Sequence, residues 1–228
     1  MKKTTIVALL LLSLNCFADD LNPSSLAIES QWASIYYKMP KGRQEAAYDA
    51  LLDKATQLSK RFPNQAEPLF WQAVILATNA ELKDGLSALE SINKAKDLLV
   101  EAINIDPKTA NGSAYVTLGT LYYMVPKWPI AFGDNEKAEE MFQAALKINP
   151  NGIDANYFYG DFLSANRKTK QAQHYFEKAL AAPSRQEQIF ADTKLKDQVK
   201  IALANTKNTK INGVKHAFLS LLHSASAD

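Results

Sequence analysis

The chain is poor in the residues that most chemistry needs. It has one cysteine, Cys16, and three histidines, His174, His216 and His223, among 228 residues. No two histidines stand one helical turn apart, so no metal-site spacing occurs and no cofactor is expected. Glycine is scarce, at eight residues, and no phosphate-cradling glycine loop or Gly-x-Ser-x-Gly nucleophile elbow is present. These absences argue against an enzyme. The formal charge is only +2, so no strongly basic surface calls for nucleic acid, and none is expected as a partner. No alternating apolar pattern suggests strands.

The longest apolar run lies at the start. Lys2 and Lys3 precede an apolar stretch from Ile6 to Leu14, then Cys16-Phe17-Ala18 and Asp19-Asp20. A basic start, a short apolar run and small residues at the third-last and last positions predict a secretory signal over 1–18, cleaved after Ala18. The run is too short for a bilayer core of ~30 Å. The alternative, lipidation at Cys16, fits Ser13-Leu14-Asn15 less well. Cleavage after Ala18 removes both lysines and leaves equal numbers of acidic and basic residues, and no cysteine. The expected compartment is the periplasm, and stability there must come from packing rather than disulfides.

What is abundant is a recurring pattern. Leu118-Gly119, Tyr122, Ala138, Phe142, Ala145 and Pro150 are matched in order by Tyr159-Gly160, Leu163, Ala172, Phe176, Ala179 and Pro183. Small residues at the same place in two helices let them approach closely, the aromatic residues fill the space between hairpins, and proline ends the second helix. The unit resembles a tetratricopeptide repeat of roughly 34 residues. Twelve positions separate Gly160 from Ala172 and nineteen separate Gly119 from Ala138, so a seven-residue insertion falls around Met124 to Asp134. A weaker copy places Leu69, Ala73 and Leu76 before Ala95, Leu99, Ala102 and Pro107, with an insertion around Ala77 to Leu89. Leu51, Ala55, Leu58 and Pro63 form a degenerate copy.

The predicted fold is therefore all-α: a right-handed solenoid of antiparallel helix hairpins, about four repeats over 19–204, with a C-terminal capping helix from Arg185 to Ala204. The first hairpin pairs a helix over Ser24 to Tyr37 with one over Arg43 to Arg61. Residues 205–228 are read as a tail, flexible from Asn205 to Asn212, with a short amphipathic helix carrying Val214, Phe218, Leu221 and Leu222. That helix docks on the body, inserts into a neighbouring copy in a homo-oligomer, or stays disordered.

In stacked hairpins the first helix of each repeat lines the concave face. The positions that point there are Phe70, Val74 and Ala77; Val116, Thr120 and Tyr123; and Tyr157, Asp161 and Ser164. This set is apolar and aromatic, unlike the lysine, arginine and asparagine that would hold acidic peptide ends. It predicts a site for an apolar small molecule or a partner's apolar segment, oriented by Asp161. The alternative is that the tail or the insertions cover these residues. Trp128 and Phe132, in an insertion stiffened by Pro126 and Pro129, are expected to border the site with Tyr123, Tyr157 and Asp161, or else to plug the repeat interface.

The stretch Tyr122-Tyr123-Met-Val-Pro-Lys-Trp128-Pro129-Ile-Ala-Phe132-Gly133-Asp134, followed by Lys137-Ala138 and by Asn149-Pro-Asn-Gly152-Ile-Asp154-Ala-Asn156-Tyr157-Phe158-Tyr159-Gly160-Asp161-Phe162-Leu163, resembles the T component associated with tripartite ATP-independent periplasmic (TRAP-type) transporters. That resemblance implies a periplasmic helical-repeat protein, commonly lipid-anchored, that works beside a separate solute-binding protein and carries a ligand through a central opening. The expected role is accessory to transport, with a scaffold for envelope assembly as the alternative and an enzyme last.

Overall fold

The structure, a computed structural model, describes residues 21–207. The expected signal segment and most of the tail, including Val214 to Leu222, lie outside the described residues. Among the described residues nine α-helices follow one another: α1 Leu21–Lys38, α2 Lys41–Arg61, α3 Ala66–Asn79, α4 Gly85–Ile105, α5 Ser113–Met124, α6 Asn135–Ile148, α7 Ile153–Ala165, α8 Thr169–Ala181 and α9 Ile189–Lys207. Short 3₁₀ turns precede α4, α5 and α9. Among the described residues there is no strand, and the fold is an all-α helical repeat.

The small-residue positions set the hairpin geometry. In α5–α6 a Cβ on Gly119 would stand 3.2 Å from the Ala138 carbonyl and from Phe142. In α7–α8 a Cβ on Gly160 would stand 2.8 Å from the Phe176 ring and 3.3 Å from the Ala172 carbonyl. The two hairpins repeat one contact, glycine on the first helix against alanine and phenylalanine on the second. Ala138, Phe142 and Ala145, and again Ala172, Phe176 and Ala179, are all buried; spacings of four and three put each trio on one helical face. Ala172→Leu is expected to overpack this contact and to cost about 1 to 3 kcal/mol, measured as a lower midpoint of urea unfolding with an unchanged slope.

Local ends are set by side chains where the sequence supplies them. Asp134 caps α6, its Oδ1 accepting from the Glu136 and Lys137 amides at 2.9 and 3.2 Å, which satisfies donors that the helix start leaves orphaned. Buried Gln44, on α2, donates to the Ile35 and Met39 carbonyls at 3.0 and 2.9 Å and so closes the end of α1. Asn156 donates to the Pro150 and Gly152 carbonyls, fixing the turn into α7. Gly112, at φ 88°, brings backbone against Ile148; an L side chain there would be both strained and crowded.

Two boundaries differ from expectation. The helix expected over about 88–105 begins three residues earlier, at Gly85, so that α4 runs 21 residues against 14 and 13 for α6 and α8; part of the insertion expected around Ala77 to Leu89 is therefore helix, and a 3₁₀ turn, Ala80–Leu82, stands in the remaining connection. At the other end α9 begins at Ile189 and continues through Lys207, so the chain expected to be flexible from Asn205 is helical for three further residues.

The helices form two layers. α3, α5, α7 and α9 pack successively as inner helices, α1 packs beside α3, and α2, α4, α6 and α8 back them. Two apolar clusters result, one through α1 to α5 and one through α5 to α9, with Tyr122 packed against both. The inner layer does not end open: α1 also touches α9 and the turn before it. The first and last inner helices meet, and the layer closes on itself.

Candidate functional site

Closure turns the expected groove into an interior. Phe70, Val116 and Tyr157 are buried, and Val74, Ala77, Thr120, Tyr123, Asp161 and Ser164 are half-buried; none is exposed. Among the described residues α1 and α9 lie against these inner helices, and most of the tail offered as a cover lies outside the described residues. Trp32 donates its indole N–H to Thr78 Oγ1 at 3.0 Å, tying α1 across α3. Tyr36 stacks on Trp32 at 5.3 Å, and Tyr37 stands edge-on to Tyr36 at 4.8 Å and to Phe190 of α9 at 6.1 Å.

Tyr123 of α5, Asp161 of α7 and the α1 residues Tyr36 and Tyr37 all lie within electrostatic reach of Tyr157 of α7. Tyr123 Oη donates to Asp161 Oδ2 at 3.5 Å, and its ring packs edge-on against Phe162 at 5.6 Å. Burial first, and the neighbouring carboxylate and phenols second, hold the Tyr123 and Tyr157 hydroxyls well above the ordinary phenol range. Burial does the same for Tyr36 and Tyr37. All four are therefore neutral hydrogen-bond donors at any pH at which the protein works. The result is an aromatic interior with several hydroxyls and one carboxylate.

The structure does not bring Trp128 and Phe132 to this group. Phe132 packs edge-on to Tyr122 at 5.6 Å, under the Lys96 ammonium of α4 at 5.0 Å, on the side of α5 that faces the outer helices. Trp128 is 85% exposed and Ile130 60% exposed, so Trp128 neither borders the interior nor plugs a repeat interface. The loop that carries them is nevertheless fixed. Gly133 N–H donates to the Pro126 carbonyl at 2.9 Å, Ile130 N–H to Lys127 at 3.2 Å and Asp134 N–H to Tyr122 at 2.8 Å. A Cβ on Gly133 would collide with the Val125 carbonyl at 2.2 Å. Anchored inward by Phe132, the loop presents Trp128 outward.

Sequence reasoning missed the contribution of α1 and α9. Ile28, Trp32, Ile35 and Tyr36 follow one another at i, i+4, i+7 and i+8 and so share one apolar face. Tyr37 stands on the opposite side of the helix and meets Phe190 of α9; an aromatic residue off the apolar face was the available signal that α1 is covered on two sides.

At the beginning of α1 the seam with α9 is polar. Arg185 Nη2 stands 2.7 Å from both Glu29 Oε1 and Asp192 Oδ1, and the Arg185 amide donates to Asp192 Oδ2 at 2.7 Å. Gln188 donates to the Leu26 carbonyl at 3.1 Å and accepts from Ser30 at 3.3 Å. Among the described residues no cluster of histidine, cysteine or carboxylate side chains is placed to hold a metal ion, and no helix is long and apolar enough to cross a membrane.

No curated protein matches the chain. Residues 130–191 match the tetratricopeptide repeat family, a match that starts inside the α5–α6 loop, takes in α6, α7 and α8 and ends in the first turn of α9. Tetratricopeptide repeats are protein-interaction modules, and the match falls on the hairpins whose spacing defined the pattern.

Proposed function

We propose that this chain is an exported helical-repeat binding protein that holds an apolar small molecule inside its closed inner layer and docks a periplasmic solute-binding protein, as an accessory of solute transport. The observation that carries the reading is the contact of α1 with α9. An open repeat groove accepts an extended peptide laid along it; an inner layer closed on itself favours a compact ligand, and the interior here offers aromatic faces with the Tyr123, Tyr157 and Asp161 polar atoms. The resemblance of residues 122 to 163 to TRAP-type T components supports the transport setting. Export rests on the first eighteen residues and is checked by the intact mass of the processed protein, where a start at Asp19 is expected and a lipid on Cys16 would contradict it.

A second reading, a scaffold in envelope assembly, draws on the exposed Trp128 loop. An 85% exposed tryptophan on a rigid loop is the kind of anchor that dominates protein interfaces. The two surfaces separate by substitution. With the neutral fluorophore N-phenyl-1-naphthylamine as probe, Tyr123→Ala is expected to weaken uptake at least about tenfold while leaving capture of a solute-binding protein intact. Trp128→Ala is expected to leave both uptake and stability unchanged, the latter to within about 0.5 kcal/mol, and to abolish capture. Loss of neither activity in either variant would refute the assignment; capture of envelope-assembly proteins in place of a solute-binding protein would favour the scaffold.

A further inference from the structure

Resting on the reading of the interior as a ligand compartment, we propose that the α1–α9 seam is its gate: the inner layer opens by parting α1 from α9 while α1 stays on α2 and α3. The seams of the inner layer are not alike. α3 and α5, α5 and α7, and α7 and α9 are neighbours joined through one outer helix each. α1 and α9 stand at opposite ends of the repeat, and only noncovalent contacts hold them together.

The chemistry of the two sides of α1 also differs. Toward α2 and α3 it buries Ile28 and Ile35 in the same apolar cluster as Tyr48, Leu51, Leu69 and Phe70, with the Trp32–Thr78 hydrogen bond beside them. Parting those surfaces exposes apolar area, which water disfavours. Toward α9 the contact is the Glu29–Arg185–Asp192 network and the two Gln188 hydrogen bonds, with the Tyr37–Phe190 edge contact and the Lys38 ammonium 4.0 Å over the Phe190 ring. Water can solvate all of the polar partners once they part, so this seam costs less to open. Polar interfaces of this kind permit relative motion. Arg185 is the latch: one guanidinium holds a carboxylate of α1 and a carboxylate of α9 at once.

The interior tyrosines lie directly behind this seam. Tyr36 lies near Gln198 of α9, and the Tyr37 ring stands edge-on to Phe190 at 6.1 Å, so parting α1 from α9 uncovers Tyr36 and Tyr37 and, through them, Tyr157. A molecule held there leaves at the rate at which the seam opens, and its affinity is set by contacts on both sides.

The test uses the full chain with Cys16 replaced by serine. Ser30→Cys with Gln188→Cys places a thiol on each side of the seam. In the oxidised protein N-phenyl-1-naphthylamine release, followed by stopped flow, is expected to slow at least about tenfold relative to the same protein reduced. Arg185→Met is expected to speed release, with Arg185→Lys between it and the parent. Independently of any ligand, spin labels at exposed Ser34 of α1 and Ile201 of α9 report the seam itself; Arg185→Met is expected to lengthen and broaden their distance distribution while the circular-dichroism spectrum stays helical. A probe that is not taken up at all, with the label distance still responding to Arg185, would refute the ligand compartment and leave the latch. Equal release from oxidised and reduced staple, or a label distance indifferent to Arg185→Met, would overturn the gate.

Discussion

Phe176→Ala is expected to destabilise the protein by about 3 to 5 kcal/mol, the range for removing a fully buried aromatic ring from a close-packed core. The ring is 1% exposed. It fills the space that Gly160 leaves open, with ring atoms 2.8 Å from where a Cβ would stand, and it lies 6.1 Å from the Tyr157 ring that faces the interior. Its loss leaves a cavity bounded by the backbones of α7 and α8, which are already as near as their small residues allow, so collapse cannot refill it. Urea unfolding reads the loss directly, and the variant should also lose probe uptake because Tyr157 loses its support. A cost under about 1 kcal/mol would mean that the glycine–phenylalanine contact does not set the hairpin spacing.

Arg185→Met is expected to cost about 2 kcal/mol near neutral pH, less than the about 3 to 5 kcal/mol of breaking a fully buried ion pair, because solvent reaches half of the arginine side chain, 52% exposed, and screens part of what is lost. The carboxylates it leaves behind are the expensive part: the Glu29 and Asp192 side chains are 12% and 3% exposed. The pH dependence has a definite sign. Burial raises the Glu29 carboxyl above its ordinary 4.5, and the pull of Arg185 in the other direction does not cancel it. A group whose folded pKa lies above its unfolded value contributes stability that is present below the unfolded value and lost as pH rises through the folded one. Without Arg185 the folded value rises further, so the variant's handicap is largest at neutral pH and shrinks as the pH falls through the folded values of the Glu29 carboxyl. Thermal melts of parent and variant across that window check it; a handicap that grows on acidification would show that Glu29 does not carry the seam.

The parts of this molecule that could be read from its residues are those decided by local close approach. Glycine opposite alanine and phenylalanine, repeated at two places, leaves few solutions other than stacked helix hairpins, and α5 to α8 follow it closely. The length of α4 was hidden because extra residues inside a helix look, in a spacing pattern, the same as extra residues in a loop. Closure of the inner layer was hidden for a different reason. It depends on small rotations accumulated over successive hairpins, and the pair that seals it, Glu29 and Arg185, has no local sign in either residue's neighbourhood. The inward-facing positions of α3, α5 and α7 could be named from periodicity, yet what stands across from them could not. Trp128 and Phe132 show the same limit on a smaller scale: four positions apart in one loop, they point to opposite environments, one to solvent and one to Tyr122 and Lys96.

Native mass spectrometry of the protein released gently from the cell envelope tests the central claim most directly, since a ligand enclosed by the inner layer should travel with the chain. The expected spectrum shows an added small-molecule mass on the parent protein, retained in Trp128→Ala, retained most fully in the oxidised Ser30→Cys, Gln188→Cys staple, and lost in Tyr123→Ala. A parent protein that carries no added mass even when stapled, or an added mass that Tyr123→Ala leaves in place, would contradict the reading of the interior as a binding compartment.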